Sequence, residues 1–244
     1  MTIRAVLLSA VAAVSISSVA QSAEIVGSNI NLEYTSFPDV SDLSSLSVTG
    51  SVEVGVNRNF SVQLDAGAYN SEILDDTGTN IAAHAIYHTN EFTSLGAYVS
   101  SDEFDGERIN MFGVEGGTGQ DGFDFEGYLG FGEEQGVDVA QFGILGRYVF
   151  DNNFGIGWDL DLVNLSDSGD DVTLTRTSLR GDYSASENVL LYAEVGSLYA
   201  NVDTGLLSSS GSETFVGIGA EIAFGKGRGA TFNGRSLGEV IPGF

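Results

Sequence analysis

Apolar and polar residues alternate along most of the chain, in runs of about ten residues. From Phe154 to Leu162 every second residue is apolar, and the positions between them hold glycine and aspartate. Successive side chains of a β-strand point to opposite faces, so each run predicts a strand with one apolar and one polar face. The alternation predicts twelve strands, over residues 29–35, 46–57, 60–69, 80–89, 92–100, 106–116, 122–131, 137–150, 153–164, 172–183, 188–200 and 213–225.

Short polar turns recur between these runs. Segments 53–67, 85–99 and 181–196 repeat the arrangement of 148–162, a turn of two to four polar residues between two alternating runs, and 114–130 is a looser copy. The spacing of the turns, about one per 30 residues, indicates a repeated β-hairpin. Longer polar connections are predicted between the repeats, over 35–45, 70–79, 100–105, 132–136, 165–171 and 201–212. We therefore expect short turns at one end of the strands and long connections at the other.

The amino-terminal residues have the layout of a secretory signal peptide. Arg4 precedes an apolar stretch from Ala5 to about Val14, and small residues follow at Ser18 to Ala20. We assign residues 1–23 to this signal, residues 24–225 to the folded unit and residues 226–244 to a basic C-terminal tail. Cleavage after Ala20, Ser22 or Ala23 fits the pattern equally well.

Composition narrows the class of protein. The 244 residues carry a net charge of -25 and include no cysteine, so no disulfide framework holds the fold together. The acidic balance argues against a nucleic-acid partner, because the phosphate backbone attracts the opposite charge. An exported, acidic, glycine-rich all-β chain remains.

An alternating strand suits either a soluble β-sandwich or a barrel in lipid. Three features favour the barrel: an even number of strands, turns segregated by length, and aromatic residues near strand ends. In lipid an open sheet edge is not tolerated, so the strands must close on themselves. The chain resembles the Gram-negative outer-membrane β-barrels of the porin-like family. The predicted fold is all-β, a closed antiparallel up-and-down transmembrane β-barrel of about twelve strands.

This resemblance implies a location in the outer membrane, with short turns in the periplasm and long loops outside. It also implies contact with outer-membrane lipid and lipopolysaccharide. Barrels of this family end on an aromatic residue of the last strand, which corresponds here to Phe224, followed by the tail. On the periplasmic side, the tail is expected to contact lipid headgroups, enter the lumen against its acids, or remain unstructured.

Charged residues on the polar face are the candidate pore-lining groups. Asp159 and Asp161 are expected to face Arg147 and Arg176 across the wall. Such an arrangement either filters solutes, as charged rings do in channels, or stiffens and blocks the lumen through ion pairs. The full set of candidate pore-lining residues is Glu126, Arg147, Asp159, Asp161, Arg176, Arg180, Glu194 and Glu221.

Other candidate chemistry is limited. Asp167, Asp170 and Asp171 could bind Ca²⁺ or Mg²⁺ through carboxylate oxygens, or simply keep a loop solvated. His84 and His88 share the polar face without a third metal ligand at suitable spacing. No serine lies in a nucleophile motif, so we expect neither an enzyme nor a required cofactor.

Two functions follow from these patterns. The first is a narrow, cation-preferring passive diffusion channel for small solutes or ions. The second is a non-conducting structural or surface-interaction barrel whose acidic loops bind lipopolysaccharide or divalent cations. The sequence leaves the solute and the oligomeric state open.

Overall fold

The computed structural model describes residues 24–40, 43–71, 76–167, 169–204, 208–224 and 229–240. These residues form twelve strands and one short helix. The signal peptide predicted over residues 1–23 lies outside the described residues, as do Lys226 and Arg228 of the tail. Within the described part of the chain, no helix is long and apolar enough to cross a membrane.

The strands follow the predicted order, and most extend beyond their predicted bounds. They are β1 (Glu24–Ser36), β2 (Ser44–Gly55), β3 (Phe60–Ser71), β4 (Asp76–His88), β5 (Thr93–Phe104), β6 (Glu107–Gln120), β7 (Phe123–Glu134), β8 (Val137–Val149), β9 (Phe154–Asp167), β10 (Asp170–Ser186), β11 (Val189–Asp203) and β12 (Ser208–Ala223), followed by α1 (Leu237–Val240).

Every strand pairs antiparallel with its neighbours in sequence, and β1 pairs with β12 to close the barrel. The closing register runs from Asn29 opposite Ala223 to Ser36 opposite Val216. Closure leaves no strand edge facing lipid, where unpaired N–H and C=O groups would be costly. The predicted fold class is confirmed.

The two faces of the strands separate as the alternation predicts. Outward positions carry large apolar side chains that remain exposed on the isolated chain, such as Trp158 and Leu179. Inward positions are polar and largely buried, such as Glu53, Gln63 and Asp102. The apolar outer surface is the one that a lipid bilayer would cover.

We call the end at which β1 begins and β12 ends the terminal end, and the opposite one the far end. Outward aromatic residues pair at the terminal end: Phe60 with Tyr87 and Phe154 with Tyr183, each with ring centroids 4.9 Å apart. Aromatic side chains at strand ends are typical of the interface between lipid and water.

Several far-end connections are shorter than predicted. The β5–β6 turn consists of Asp105 and Gly106, with φ of 49° and 81°, and the β7–β8 turn of Gln135 and Gly136, with φ of 51° and 89°. Positive φ at both turn residues is the geometry of a tight hairpin. The long connections predicted over 100–105, 132–136 and 165–171 are therefore wrong, because their polar residues continue the strands. Turn length does not distinguish the two ends.

The tail enters the barrel. Residues 229–240, here called the tail segment, lie inside the lumen and end in α1. Of the three alternatives expected for the tail, these residues show entry into the lumen against its acids. At the far end, Leu237 and Val240 pack in one buried apolar cluster with Phe104, Met111, Val139, Val163 and Leu174.

Candidate functional site

The tail segment enters beside the first strand. Phe224 N–H donates to Ser28 C=O at 2.9 Å, and Ser28 Oγ donates to Phe224 C=O at 3.0 Å, which fixes the end of β12 against β1. Gly229 then passes so close to Gly27 that a Cβ at position 27 would collide with the Gly229 carbonyl oxygen. A residue larger than glycine at position 27 would obstruct this passage.

The first stretch of the tail segment is held through its backbone. Thr231 N–H donates to Glu53 Oε2 at 2.8 Å. Gln63 makes two bonds to Phe232, accepting from its N–H at 3.2 Å and donating to its C=O at 2.8 Å. Glu53 and Gln63 have no solvent-exposed surface, so the tail segment satisfies polar groups that would otherwise be buried without these partners.

Arg235 is the central contact of the tail segment. Its Nε and Nη2 donate to Glu115 Oε2 at 3.0 and 2.9 Å, and Nη2 also donates to Glu126 Oε1. The guanidinium carbon lies 4.1 Å from the ring centroid of Tyr128 and 5.7 Å from that of Tyr98. Burial alone lowers the pKa of Arg235, but Glu126 and Glu115 outweigh it and hold the pKa above its usual range.

Glycines on adjacent strands make room for these two tyrosine rings. A Cβ at Gly113 would lie 2.5 Å from Tyr98 Cε1, and a Cβ at Gly143 would collide with Tyr128 Cε1. The rings therefore lie against the barrel wall and present their faces to Arg235. Inward glycines thus help to shape the site, which accounts for part of the glycine content.

The last stretch is held by Asp102 and Asn80. Ser236 Oγ and Leu237 N–H both donate to Asp102 Oδ1, at 2.6 and 3.1 Å. Asn80 Nδ2 donates to Asp102 Oδ1 at 3.0 Å and to Arg235 C=O at 2.9 Å. These bonds hold α1 at the far end, where Leu237 joins the apolar cluster.

Glu239 lies in α1 beside the wall. Tyr69 Oη donates to Glu239 Oε1 at 3.4 Å, a long contact. Burial raises the pKa of Glu239 to about 8, and the negative charge of Glu33 adds to the effect. The protonated form of Glu239 is therefore favoured while the tail segment is docked.

The polar contacts of the tail segment lie on one side of the lumen. Each of six consecutive strands, β2 to β7, contributes at least one side chain, including in order Glu53, Gln63, Asn80, Asp102, Glu115 and Glu126. A cavity of about 760 Å³ remains in the lumen. It reaches Val240 of the far-end cluster, and the other members of that cluster do not line it. On the side of β1 and β2 it extends to Thr35 and Ser45, near the far end of these strands.

All eight candidate pore-lining residues lie on the wall of this cavity. Arg176 is central: its guanidinium nitrogens lie 2.6 Å from Asp159, 2.7 Å from Glu194 and 4.0 Å from Asp161. The expected pairing of Arg176 with Asp159 is present. Whether these residues line a conducting pore stays a prediction.

Arg147 and Arg180, the other two arginines among the candidate pore-lining residues, have partners different from those of Arg176. Arg147 pairs with Asp182 at 2.6 Å, and not with Asp159 or Asp161 as expected. The reason is register, since Arg147 lies opposite Gly157, which leaves its side chain free to reach across to β10. Arg180 stacks on Tyr192, with 3.6 Å from its guanidinium carbon to the ring centroid.

Sequence reasoning missed the partners of Arg235. The sequence pattern indicates a basic tail, but it does not indicate Glu115, Tyr98 or Tyr128 as partners of Arg235. His84 was noted without a role; its ring nitrogens contact Asp65 at 2.6 Å and Glu115 at 2.7 Å. An available signal was the inward-facing acid Glu115 between two inward glycines on a strand with no nearby base on the same face.

The predicted metal ligands do not converge. Asp167 and Asp170 are opposite each other at the β9–β10 turn, whereas Asp171 is the next residue along and points to the other face. Among the residues that the structure describes, no group of three or more His, Asp or Glu side chains is placed to hold a metal ion. Loop binding of Ca²⁺ or Mg²⁺ stays a prediction.

Comparison with known proteins identifies the fold. The scan against protein-family models and the search of curated proteins gave no match. Among solved structures, the chain is similar to the KdgM porin, with a TM-score of 0.58 and 15% identity over 81% of this chain and 99% of that one. It is also similar to the NanC porin, with a TM-score of 0.55 and 11% identity over 80% and 98%. An outer-membrane channel from Pseudomonas putida F1 gives a TM-score of 0.54 and 14% identity over 85% and 100%.

These likenesses, together with the apolar outer surface, define the class. The protein has the closed twelve-strand fold of porin-like outer-membrane β-barrels, and its apolar outer surface agrees with the predicted outer-membrane location. At identities this low the likeness establishes the fold, and the contents of the lumen differ from one barrel to another.

Proposed function

We propose that the protein is an outer-membrane channel for small solutes, with a narrow, cation-preferring lumen that its own tail segment holds closed. The observation that carries this proposal is the charged cavity that remains in the lumen beside the tail segment. A barrel with a purely structural role has no need of such a cavity. The likeness to porins supports the same function.

The charge of the cavity supports a preference for cations. Ten carboxyl groups line it against four arginines, and nine remain as carboxylates when Glu239 is protonated, so cations are favoured over anions along its length. The carboxyl groups belong to Glu33, Asp65, Glu91, Asp124, Glu126, Asp159, Asp161, Glu194, Glu221 and Glu239, and the guanidinium groups to Arg147, Arg176, Arg180 and Arg235.

Closure depends on the far-end apolar cluster. Leu237 is 3% exposed and packs among side chains from β5, β6, β8, β9 and β10. An aspartate at this position would be an unpaired buried charge, which is strongly unfavourable. Leu237→Asp should therefore drive α1 out of the cluster and open the cavity to the far end.

Planar-bilayer recording tests the proposal. The unmodified chain should show little or no conductance, and Leu237→Asp should show discrete, cation-selective steps. Leu237→Met is the matched control, because it nearly conserves side-chain volume and should leave the channel closed. An anion preference would contradict the selectivity, and silence of Leu237→Asp would contradict the channel.

The second candidate is a non-conducting structural barrel. The specific observation in its favour is the number of wall strands that the tail segment engages, since this makes the closed lumen stable. Persistent silence of Leu237→Asp, with the barrel shown to be folded by heat-modifiable mobility in gel electrophoresis, would favour this candidate. Contacts with lipopolysaccharide and with divalent cations at the acidic loops belong to this proposal.

A further inference from the structure

We propose that the groups around Arg235 form a binding site for guanidinium-bearing solutes, which the tail segment occupies in the closed barrel. The guanidinium site consists of Glu115, Glu126, Tyr98 and Tyr128. Its assignment to solute transport rests on the proposed channel function, whereas its ability to bind a guanidinium group does not.

The geometry of the site fits a planar cation. Two carboxylates receive the edge of the guanidinium group, with Glu115 Oε2 contacted by both Nε and Nη2. The ring of Tyr128 covers one face at 4.1 Å. A guanidinium group matches a site of this kind better than an ammonium group, because it presents several N–H donors in one plane and stacks on aromatic rings.

The site is built into the barrel wall. Glu115 and Tyr128 are directly opposite each other in the β6–β7 register, and Tyr98 lies on the adjoining strand β5. Tyr128 Oη donates to Asp161 Oδ1 at 2.7 Å, which orients the ring. His84 contacts Glu115 Oε1, whereas Arg235 contacts Oε2, so the carboxylate is held between two partners. Glu115 and Tyr128 thus have supports that do not depend on the tail segment.

A solute can approach the site from the cavity. Glu126 and Tyr128 belong to the guanidinium site and also line the cavity, and Asp161 and Arg235 line the cavity beside them. The acidic cavity attracts cations towards a position where two carboxylates and two aromatic rings converge. A guanidinium-bearing solute that reaches this position competes with Arg235 for the same atoms.

This competition links solute binding to opening. Binding of a solute and docking of the tail segment exclude each other, so each weakens the other by the same factor. The tail segment therefore acts as a tethered competitor, and guanidinium-bearing solutes should open the channel that they enter.

Binding is tested first without any conductance measurement. The full chain carrying Arg235→Ala, purified in detergent, is titrated with methylguanidinium by calorimetry, with methylammonium as the comparison cation. Methylguanidinium should bind about tenfold more tightly than methylammonium, since only the former has the planar fork. Equal affinities, or no binding by a folded variant, would overturn the proposal. Adding Glu126→Gln to Arg235→Ala should weaken the binding, and an unchanged affinity would also overturn it.

A second measurement keeps all four residues of the guanidinium site and Arg235 unchanged. The chain has no cysteine, so Leu237→Cys places one buried thiol in the far-end cluster. Methylguanidinium should accelerate modification of this thiol by a water-soluble reagent several-fold more than methylammonium at the same concentration. Equal acceleration would overturn competition at the guanidinium site even if the barrel folds normally. If calorimetry and thiol modification both give the expected results while bilayer recording shows no conductance, the guanidinium site is supported and the proposed channel function is contradicted.

Discussion

Arg235 and Glu115 form a buried ion pair, with 2.9 Å between Nη2 and Oε2, although they are 120 positions apart in the sequence. One residue belongs to the tail segment and the other to the middle of β6. Removing one partner of such a pair leaves the other charge buried and uncompensated. The loss of stability is then typically larger than the stability that the intact pair contributes. This contact should therefore dominate the stability of the closed lumen.

The first prediction concerns this ion pair. Arg235→Met, made in the Leu237→Cys chain, should weaken docking of the tail segment by about 3–5 kcal/mol, the usual effect of breaking a buried pair. Thiol modification should become faster by about a hundredfold or more. Arg108→Met is the matched control, because Arg108 pairs with Glu103 on the surface and should leave the rate unchanged. Equal rates in the two variants would contradict the prediction.

The second prediction concerns the entrance of the tail segment. Gly27→Ala would place a Cβ against the backbone of Gly229 and Ala230, so the tail segment must shift. Overpacking of this kind destabilises by about 1–3 kcal/mol, which should raise the rate of thiol modification roughly tenfold or more. Gly181→Ala makes the same change in a strand where nothing lies within 4 Å of the added atom. A rate that rises equally in both variants would indicate a general effect on the barrel.

The third prediction is a pH dependence of docking. Because the pKa of Glu239 is about 8 in the docked state and its ordinary value is 4.5, docking binds a proton between these limits. Stability from this group is fully present below pH 4.5 and is lost as pH rises through 8. Docking should weaken by up to about tenfold per pH unit within this window.

Thiol modification at Leu237→Cys, corrected for the titration of a free thiol, measures this dependence. Glu239→Gln keeps an uncharged group of similar size and should flatten the curve. Nearby groups that also carry charge are Glu33, Asp65, Asp161 and Arg235. If the steep rise persists in Glu239→Gln, one of these groups and not Glu239 is responsible.

The fourth prediction concerns ion selectivity. In the Leu237→Asp background, Glu221→Gln together with Asp124→Asn should reduce the cation-to-anion permeability ratio a few-fold, because both side chains line the cavity. Reversal potentials in a salt gradient measure this ratio. Recording is best done at or below about 0.1 M salt, where screening extends over about 10 Å or more. Glu133→Gln removes one exposed carboxylate outside the lumen lining and should leave the ratio unchanged.

The strands and their faces could be predicted from sequence because alternation is a local property. Trp158 faces outward and Asp159 faces inward because they occupy an apolar and a polar position of the alternation. The far-end turns were harder to predict, since charged residues such as Glu103 and Glu134 belong to strands that continue past their apolar runs. The change from apolar to polar residues along a strand marks where contact with lipid ends. The hydrogen bonds between strands continue beyond that point.

The lumen could be predicted only in part. The wall residues Arg176 and Asp159 lie on neighbouring strands, and hairpin pairing brings them together. The partners of Arg235 depend on which way the tail turns after β12, which no local pattern indicates. Arg147 shows the same limit, because its pairing with Asp182 skips a strand and depends on barrel curvature.

The row of contacts from β2 to β7 has a consequence for biogenesis. These six side chains lie around a common concave surface only once the sheet has curled, and Leu237 needs β8, β9 and β10 across from them. The sheet must therefore curl before the tail segment docks, so the lumen forms first and is filled afterwards. During insertion, burial of the Leu237→Cys thiol should lag behind the appearance of the heat-modifiable form. A cell that assembles many copies at once would briefly have a permeable envelope.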